Sequence, residues 1–185
     1  MRVLRWTGAV LVALSTVLAG APAHAAGPGT LPGTYLGSDT LNPGFRMVGF
    51  SNSGAPGSRN SEYILSANGR LQFFAQADTN LVIYDRGLAN WSLRRDRMGS
   101  IPWGCYLVGS YLEMRSDGNL VYVGQSASFN GGACADAILW ASGVTGHPFS
   151  RLVMQNDGNL VVYDTGGTPT WWVSKPNSGF IQLRW

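Results

Sequence analysis

The chain is poor in histidine, cysteine and charge. Of 185 residues, two are histidine, two are cysteine and 12% carry a charge. His24 falls in the leader described below, so His147 alone remains for imidazole chemistry. One histidine and two cysteines make a poor set for a metal centre or for acid–base catalysis, and neither metal nor cofactor is expected. No long segment carries helical periodicity with caps, which argues against an α-rich fold. Outside the first 25 residues no run is apolar and long enough to span a bilayer. Excess basic charge is missing as well. There are 13 basic and 10 acidic residues, and two of the basic ones, Arg2 and Arg5, lie in the leader. The cluster Arg94, Arg95, Arg97 is broken by Asp96. A nucleic-acid partner would need a broader basic surface and is not expected.

The first 25 residues stand apart. Arg2 and Arg5 open a run from Trp6 to Ala19 that is mostly apolar, and "AHA" at 23–25 is a small-x-small cleavage site. Residues 1–25 read as a secretory signal peptide, which makes 26–185 a single secreted domain. In an exported protein the isolated pair Cys105 and Cys134 is expected to form a disulfide.

What the chain does have is glycine, 25 in all, and short apolar runs parted by Gly and Pro. That pattern reads as all-β. Three stretches resemble one another: "QADTNLVIYD" from 76, "RSDGNLVYVG" from 115 and "QNDGNLVVYD" from 155. Their aspartates, Asp78, Asp117 and Asp157, are spaced by 39 and 40 residues. An apolar segment precedes each copy and a tryptophan follows it: Trp91, Trp140 and Trp172. A repeat of this period implies threefold internal symmetry, with one Trp per copy as filling for the shared axis.

On a straight strand Gln155, Asp157, Asn159, Val161 and Tyr163 would share one face but spread over roughly 26 Å. Asp-Gly-Asn instead favours a three-residue hairpin loop, with Asn159 in the left-handed position. Gln155 then lies opposite Val161, and Val153 opposite Tyr163. Leu152, Met154, Leu160 and Val162 form the inward face. The first copy splits alike, with Phe73, Ala75, Leu81 and Ile83 inward and Gln76, Val82 and Tyr84 outward. Amide, carboxylate and phenol groups around a small apolar floor suit a ligand with neighbouring hydroxyls and one C–H face, a pyranose.

The pattern Gln-x-Asp-x-Asn-x-Val-x-Tyr resembles the signature of the bulb-type (monocot) mannose-binding lectins. It is complete at Gln76, Asp78, Asn80, Val82, Tyr84 and at Gln155, Asp157, Asn159, Val161, Tyr163. "SDTLNPG" at 38–44 and "LWAS" at 139–142 are similar to further family segments. The resemblance implies a β-prism II fold of three antiparallel sheets, with Trp91, Trp140 and Trp172 at the centre. It implies that Asp and Asn bind the axial 2-hydroxyl of mannose, Gln and Asp the 3-hydroxyl, and Tyr the 4-hydroxyl, while Val packs on the ring carbons. The middle copy departs: Asp117, Asn119 and Val121 match, but Arg115 and Val123 replace Gln and Tyr. Arg115 is expected to pair with Asp117 and to leave this degenerate site weak or silent for mannose, with an acidic sugar as the alternative ligand.

Extra residues fall at 51–62, 94–105 and 124–136, and the disulfide is expected to pin the last two around the altered copy. The C-terminal "GFIQLRW" suits either an intramolecular strand or a homodimer by strand exchange, with Ile181, Leu183 and Trp185 on one face. Trp103 and Trp185 are expected to be packing residues, the alternative being that an exposed one extends a sugar site by stacking. The function expected is a secreted, non-enzymatic lectin for mannose-containing glycans, the alternative being a lectin-like bacteriocin or antibacterial envelope-binding protein.

Overall fold

A computed structural model describes residues 33–51, 61–174 and 178–183. The leader, most of the 51–62 insertion and Trp185 lie outside the described residues. The strands, in chain order, are β1 (Thr34–Tyr35), β2 (Thr40–Leu41), β3 (Arg46–Ser51), β4 (Glu62–Leu65), β5 (Leu71–Ala75), β6 (Leu81–Asp85) and β7 (Leu88–Leu93). They continue as β8 (Cys105–Met114), β9 (Leu120–Ser128), β10 (Ala137–Ala141), β11 (Arg151–Met154), β12 (Leu160–Tyr163), β13 (Pro169–Trp172) and β14 (Phe180–Gln182). Among the described residues the only helical element is a 3₁₀ turn, Arg95–Arg97.

Each repeat supplies one sheet. The orders are β1-β4-β5-β6-β7-β14, β10-β9-β8-β3 and β13-β12-β11-β2. The chain ends close the figure: β2 and β3 complete the third and second sheets, and β14 completes the first. One pairing departs from the antiparallel expectation, because β1 joins β4 in parallel. The inward faces meet in one core. Phe73, Leu81 and Ile83 from the first sheet, Leu112, Met114 and Leu120 from the second, and Leu152, Met154, Leu160 and Val162 from the third are all buried there. Leu41, Met47 and Phe180, from strands at the chain ends, fill the same cluster.

The faces agree with the sequence pattern, but the register does not. Val153 pairs with Val161 and Met154 with Leu160. The Gln155 amide donates to the Asn159 carbonyl at 3.0 Å, so Gln155 lies opposite Asn159 rather than Val161. The left-handed residue is Gly158 (φ 95°), not Asn159; Gly118 (φ 97°) and Thr79 (φ 64°) hold the same place. The loop is thus a tight turn followed by a left-handed residue, centred one position earlier than expected. Each residue's partner moves by two positions, and a slip of two leaves every side chain on its face.

The central tryptophans need a second correction. Trp171, not Trp172, is the inward residue of the third copy. Each sheet carries a bulge one residue before its Trp, at Asn90, Leu139 and Thr170, and Trp91, Trp140 and Trp171 follow these bulges. Trp171 is 2% exposed. It meets Trp140 edge-on at 5.4 Å, and Phe180 lies 5.6 Å from Trp140 and 5.9 Å from Trp171. Trp91 is half-buried and packs against the core. Phe180, from the C-terminal strand, is the third ring in contact with Trp140 and Trp171.

That strand pairs with β7 of its own chain, Phe180 opposite Leu93 and Gln182 opposite Trp91, the intramolecular arrangement. Phe180 faces in, and Ile181 is exposed.

Tyr122 sits where the other copies have Ile83 and Val162. It is fully buried, and its hydroxyl donates to Ser110 Oγ at 3.1 Å. Gly49 makes room for this pair: a Cβ there would stand 2.5 Å from Ser110 Oγ and 2.9 Å from the Gln76 carbonyl. Burial pushes the Tyr122 phenol up from 10.0 to about 12. The folded state therefore holds this proton more tightly than the unfolded chain. Its contribution is complete below pH 10 and is lost as pH rises to 12, by about 2 to 3 kcal/mol. Tyr122→Phe should flatten that alkaline loss in urea titrations between pH 9 and 12. At neutral pH it should cost about 1 kcal/mol, since the Ser110 hydroxyl loses its partner.

Candidate functional site

The three turns are built alike. The aspartate Oδ1 accepts the backbone amide two residues on, Asp78 from Asn80 at 3.0 Å, Asp117 from Asn119 at 2.9 Å and Asp157 from Asn159 at 2.9 Å. All three aspartates are exposed. The shape of the turn is thus held by one carboxylate oxygen, and the carboxylate stays at the surface.

Bonds from outside each hairpin hold the turns, within the same sheet for the first and from a neighbouring repeat for the third. Ala77 N donates to Ser61 Oγ at 3.1 Å, and Asn68 N donates to Asn156 Oδ1 at 2.9 Å. The second turn takes backbone bonds from His147 to the Asp117 carbonyl and from Phe149 to the Ser116 carbonyl.

In the two complete copies the remaining groups converge. Gln76 Nε2 donates to Tyr84 Oη at 2.7 Å, and Gln155 Nε2 donates to Tyr163 Oη at 2.6 Å. Gln155 stands opposite Asn159, and Val161 lies between Asn159 and Tyr163 on β12. The Gln–Tyr bond therefore crosses over the valine. This accounts for Val82 and Val161 being only 3% exposed although they face outward. Both tyrosines and both glutamines are partly exposed. A polyhydroxyl ligand can exchange the Gln–Tyr bond for bonds to its own hydroxyls and so reach the valine.

The asparagines are less free. Asn80 Nδ2 donates to Ser92 Oγ at 3.0 Å, and its Oδ1 accepts from Leu81 N at 2.9 Å. Asn119 Oδ1 accepts from Ser142 Oγ at 2.9 Å and from Gly143 N at 3.2 Å. Asn159 Oδ1 is buried and has no such partner. The reason is local: Val173 occupies in the third copy the place of Ser142 in the second, each donating its backbone amide to the same β-strand carbonyl.

The middle copy is altered more deeply than its two substitutions suggest. Arg115 does not pair with Asp117. Its Nε stands 3.5 Å from Glu113 Oε2, while Arg46 Nε and Nη2 both donate to Glu113 Oε1 at 3.2 Å. Arg46 also lies 4.2 Å over the Tyr111 ring. Glu113 is the cross-strand partner of Val121, the place held by Phe74 and Val153 in the other copies. Glu113, two residues back along the chain on β8 and on the same face, is the better partner for Arg115, since Asp117 is tied to its own turn. Val123 is 2% exposed and has no hydroxyl to offer.

The outward faces of copies one and three also differ. Around the first site Tyr35, Tyr63 and Phe74 stack in series, at 5.5 and 4.6 Å, and Phe74 meets Tyr84 edge-on at 5.7 Å. Arg70 Nε donates to Asp85 Oδ1 at 2.7 Å just beyond Tyr84. That hydrogen bond holds the Asp85 carboxyl below the usual range. At the third site Arg151 pairs with Tyr163 across the strands, its guanidinium 5.9 Å from the ring.

Cys105 and Cys134 are joined, with Cα atoms 6.1 Å apart. The bond closes an extension of the β8–β9 hairpin in the middle sheet, as the insertions implied. The tip of that extension is aromatic and open. Trp103 is fully exposed rather than packed, and Tyr106 and Phe129 lie 4.7 Å apart beside it. Among the described residues there is no cluster of His, Cys, Asp or Glu that could hold a metal ion, and no helix long and apolar enough to cross a membrane.

Three sheets around one core, each led by the same hairpin, define a β-prism II protein. This is the architecture of the bulb-type lectins. Among solved structures, the chain is similar to a lectin from Marasmius oreades, with a TM-score of 0.50 and 21% identity, covering 77% of this chain and 96% of that one. It is also similar to a monomeric monocot mannose-binding lectin from Gastrodia elata, at TM-score 0.48 and 27% identity, covering 75% and 98%. The mannose-specific agglutinin of snowdrop, Galanthus nivalis, solved with methyl-α-D-mannoside, gives TM-score 0.44 and 23% identity, covering 76% and 99%. No protein-family model matches the chain, and no curated protein matches it.

Proposed function

We propose that this chain is an exported, non-catalytic lectin that binds mannose-containing glycans through two sites, at Gln76–Tyr84 and Gln155–Tyr163. One observation carries the reading. In both complete copies the Gln amide and the Tyr hydroxyl meet over a valine, beside an exposed turn aspartate. Turn formation requires the aspartate but not the other two, and a pair of polar groups over an apolar floor matches one sugar ring. The middle copy lacks this arrangement and is not counted as a site. Asp78 and Asp157 stand on hairpins of different sheets, so they do not form the facing carboxylate pair that glycoside hydrolysis needs. Two weak sites on separate faces gain avidity on branched or polymeric mannosides.

The test is calorimetric titration with α-linked mannobiose of the double variant Asp78→Asn, Asp157→Asn. Asparagine keeps an oxygen to accept the turn amide, so the fold should hold. It removes the charge-assisted acceptor, a loss of about 10- to 100-fold per site. Binding that survives unchanged in the double variant rejects the assignment. Export belongs to the same proposal, and the disulfide is in keeping with an oxidising compartment. A secreted protein whose first residue is not Ala26 would overturn the cleavage point.

A further inference from the structure

We propose that the third site is a two-ring site, in which Trp172 carries a second sugar residue beside the one on Val161. The inference rests on the lectin reading above and deepens it.

Across the outward face of the third sheet, Trp172 pairs with Val161, Val161 with Val153 and Val153 with Thr40. In the first sheet the partner of the site valine is Ser92, and in the second it is Ala141. The three copies therefore differ at one equivalent place, as serine, alanine and tryptophan. The direction of the indole follows from its neighbour. Trp171 is buried against Trp140 and Phe180, and side chains alternate along a strand. Trp172 thus stands on the same face as Val161 and the Gln155–Tyr163 pair. It is half-buried.

The chemistry of that surface is specific. A pyranose offers a C–H face that packs on an aromatic ring, and an indole is a larger platform than a valine. Neighbouring strands stand about 5 Å apart, so the indole begins where the valine ends. A sugar bound over Val161 places its linked neighbour over Trp172. At the first site Ser92 occupies the corresponding position and is bonded to Asn80, so nothing there supports a second ring. The chain therefore pairs a site for single terminal mannose with a site for a linked disaccharide.

The experiment isolates the third site with Asp78→Asn and compares methyl α-mannoside with α-linked mannobiose by calorimetry. The expected result is roughly five- to tenfold tighter binding of the disaccharide. Adding Trp172→Ala should abolish that preference while changing the methyl α-mannoside constant by less than the disaccharide constant, since the intact first copy carries the small Ser92 at that place. Trp172→Phe should retain most of the preference, which a merely structural role for the indole would not predict. Equal affinity for the two sugars in Asp78→Asn overturns the inference, and so does a preference that survives Trp172→Ala. Either result leaves the lectin reading standing. A folded Asp78→Asn chain that binds neither sugar overturns both.

Discussion

Trp171→Ala should cost the fold about 3 to 5 kcal/mol, clearly more than Trp172→Ala, one residue on. The two side chains have the same chemistry and different burial, Trp171 buried and Trp172 half-buried. Trp171 is 2% exposed and stands edge-on to both Trp140 and Phe180. Those partners come from the second sheet and from the C-terminal strand of the first. Removing the indole leaves a cavity where all three sheets meet, with no neighbour able to close it. The C-terminal strand is affected too, because Phe180 is its buried anchor. A single domain has about 5 to 15 kcal/mol in hand, so the variant should be near the edge of folding at 37 °C. Urea unfolding followed by circular dichroism measures both variants. Equal costs at 171 and 172 would show that the bulge at Thr170 does not set the inward residue.

The disulfide should be worth about 3 to 4 kcal/mol on the chain-entropy account, for its sequence separation of 29 residues. The check is a comparison of urea midpoints for the oxidised chain and the Cys105→Ser, Cys134→Ser variant. The loss should be local before it is global. Cys105 pairs with Ser128 at the far end of the long β8–β9 hairpin, beyond the part covered by β3 and β10. Amide exchange should therefore rise first at Cys105–Leu107 and Ser126–Ser128. The inward row at Leu112, Met114, Leu120 and Tyr122 should keep its protection while the chain stays folded. A cost under about 1 kcal/mol would mean that the extension unfolds independently of the sheet that carries it.

The inward and outward faces were legible from residue type alone, because a strand alternates and the inward sets are wholly apolar. Leu152, Met154, Leu160 and Val162 needed no structure to be placed together. The register was harder. Asp-Gly-Asn and Asn-Asp-Gly are both plausible three-residue loops, and the apolar pattern cannot separate them, since slipping by two residues preserves each face. The backbone bond from Gln155 to Asn159 decides it. The "WW" pair was ambiguous for a similar reason. Counting back from Trp91 and Trp140 needs the bulge before each Trp, and a bulge is a backbone event with no residue signature here. Glu113, two residues before Arg115, was visible as a partner, and alternation alone puts the two on one face. What was hidden is Arg46, which reaches Glu113 from 67 positions away through strand pairing.

By itself the sequence determined the all-β class, the three copies, the two faces of each hairpin and which copy was altered. These depend on alternation and on turn chemistry within a few residues of chain. The tertiary structure alone decided which tryptophans fill the axis, how the C-terminal strand closes the first sheet and what stands beside each site valine. Those outcomes depend on contacts between strands far apart in the chain, where a one-residue bulge decides which of two adjacent indoles enters the core.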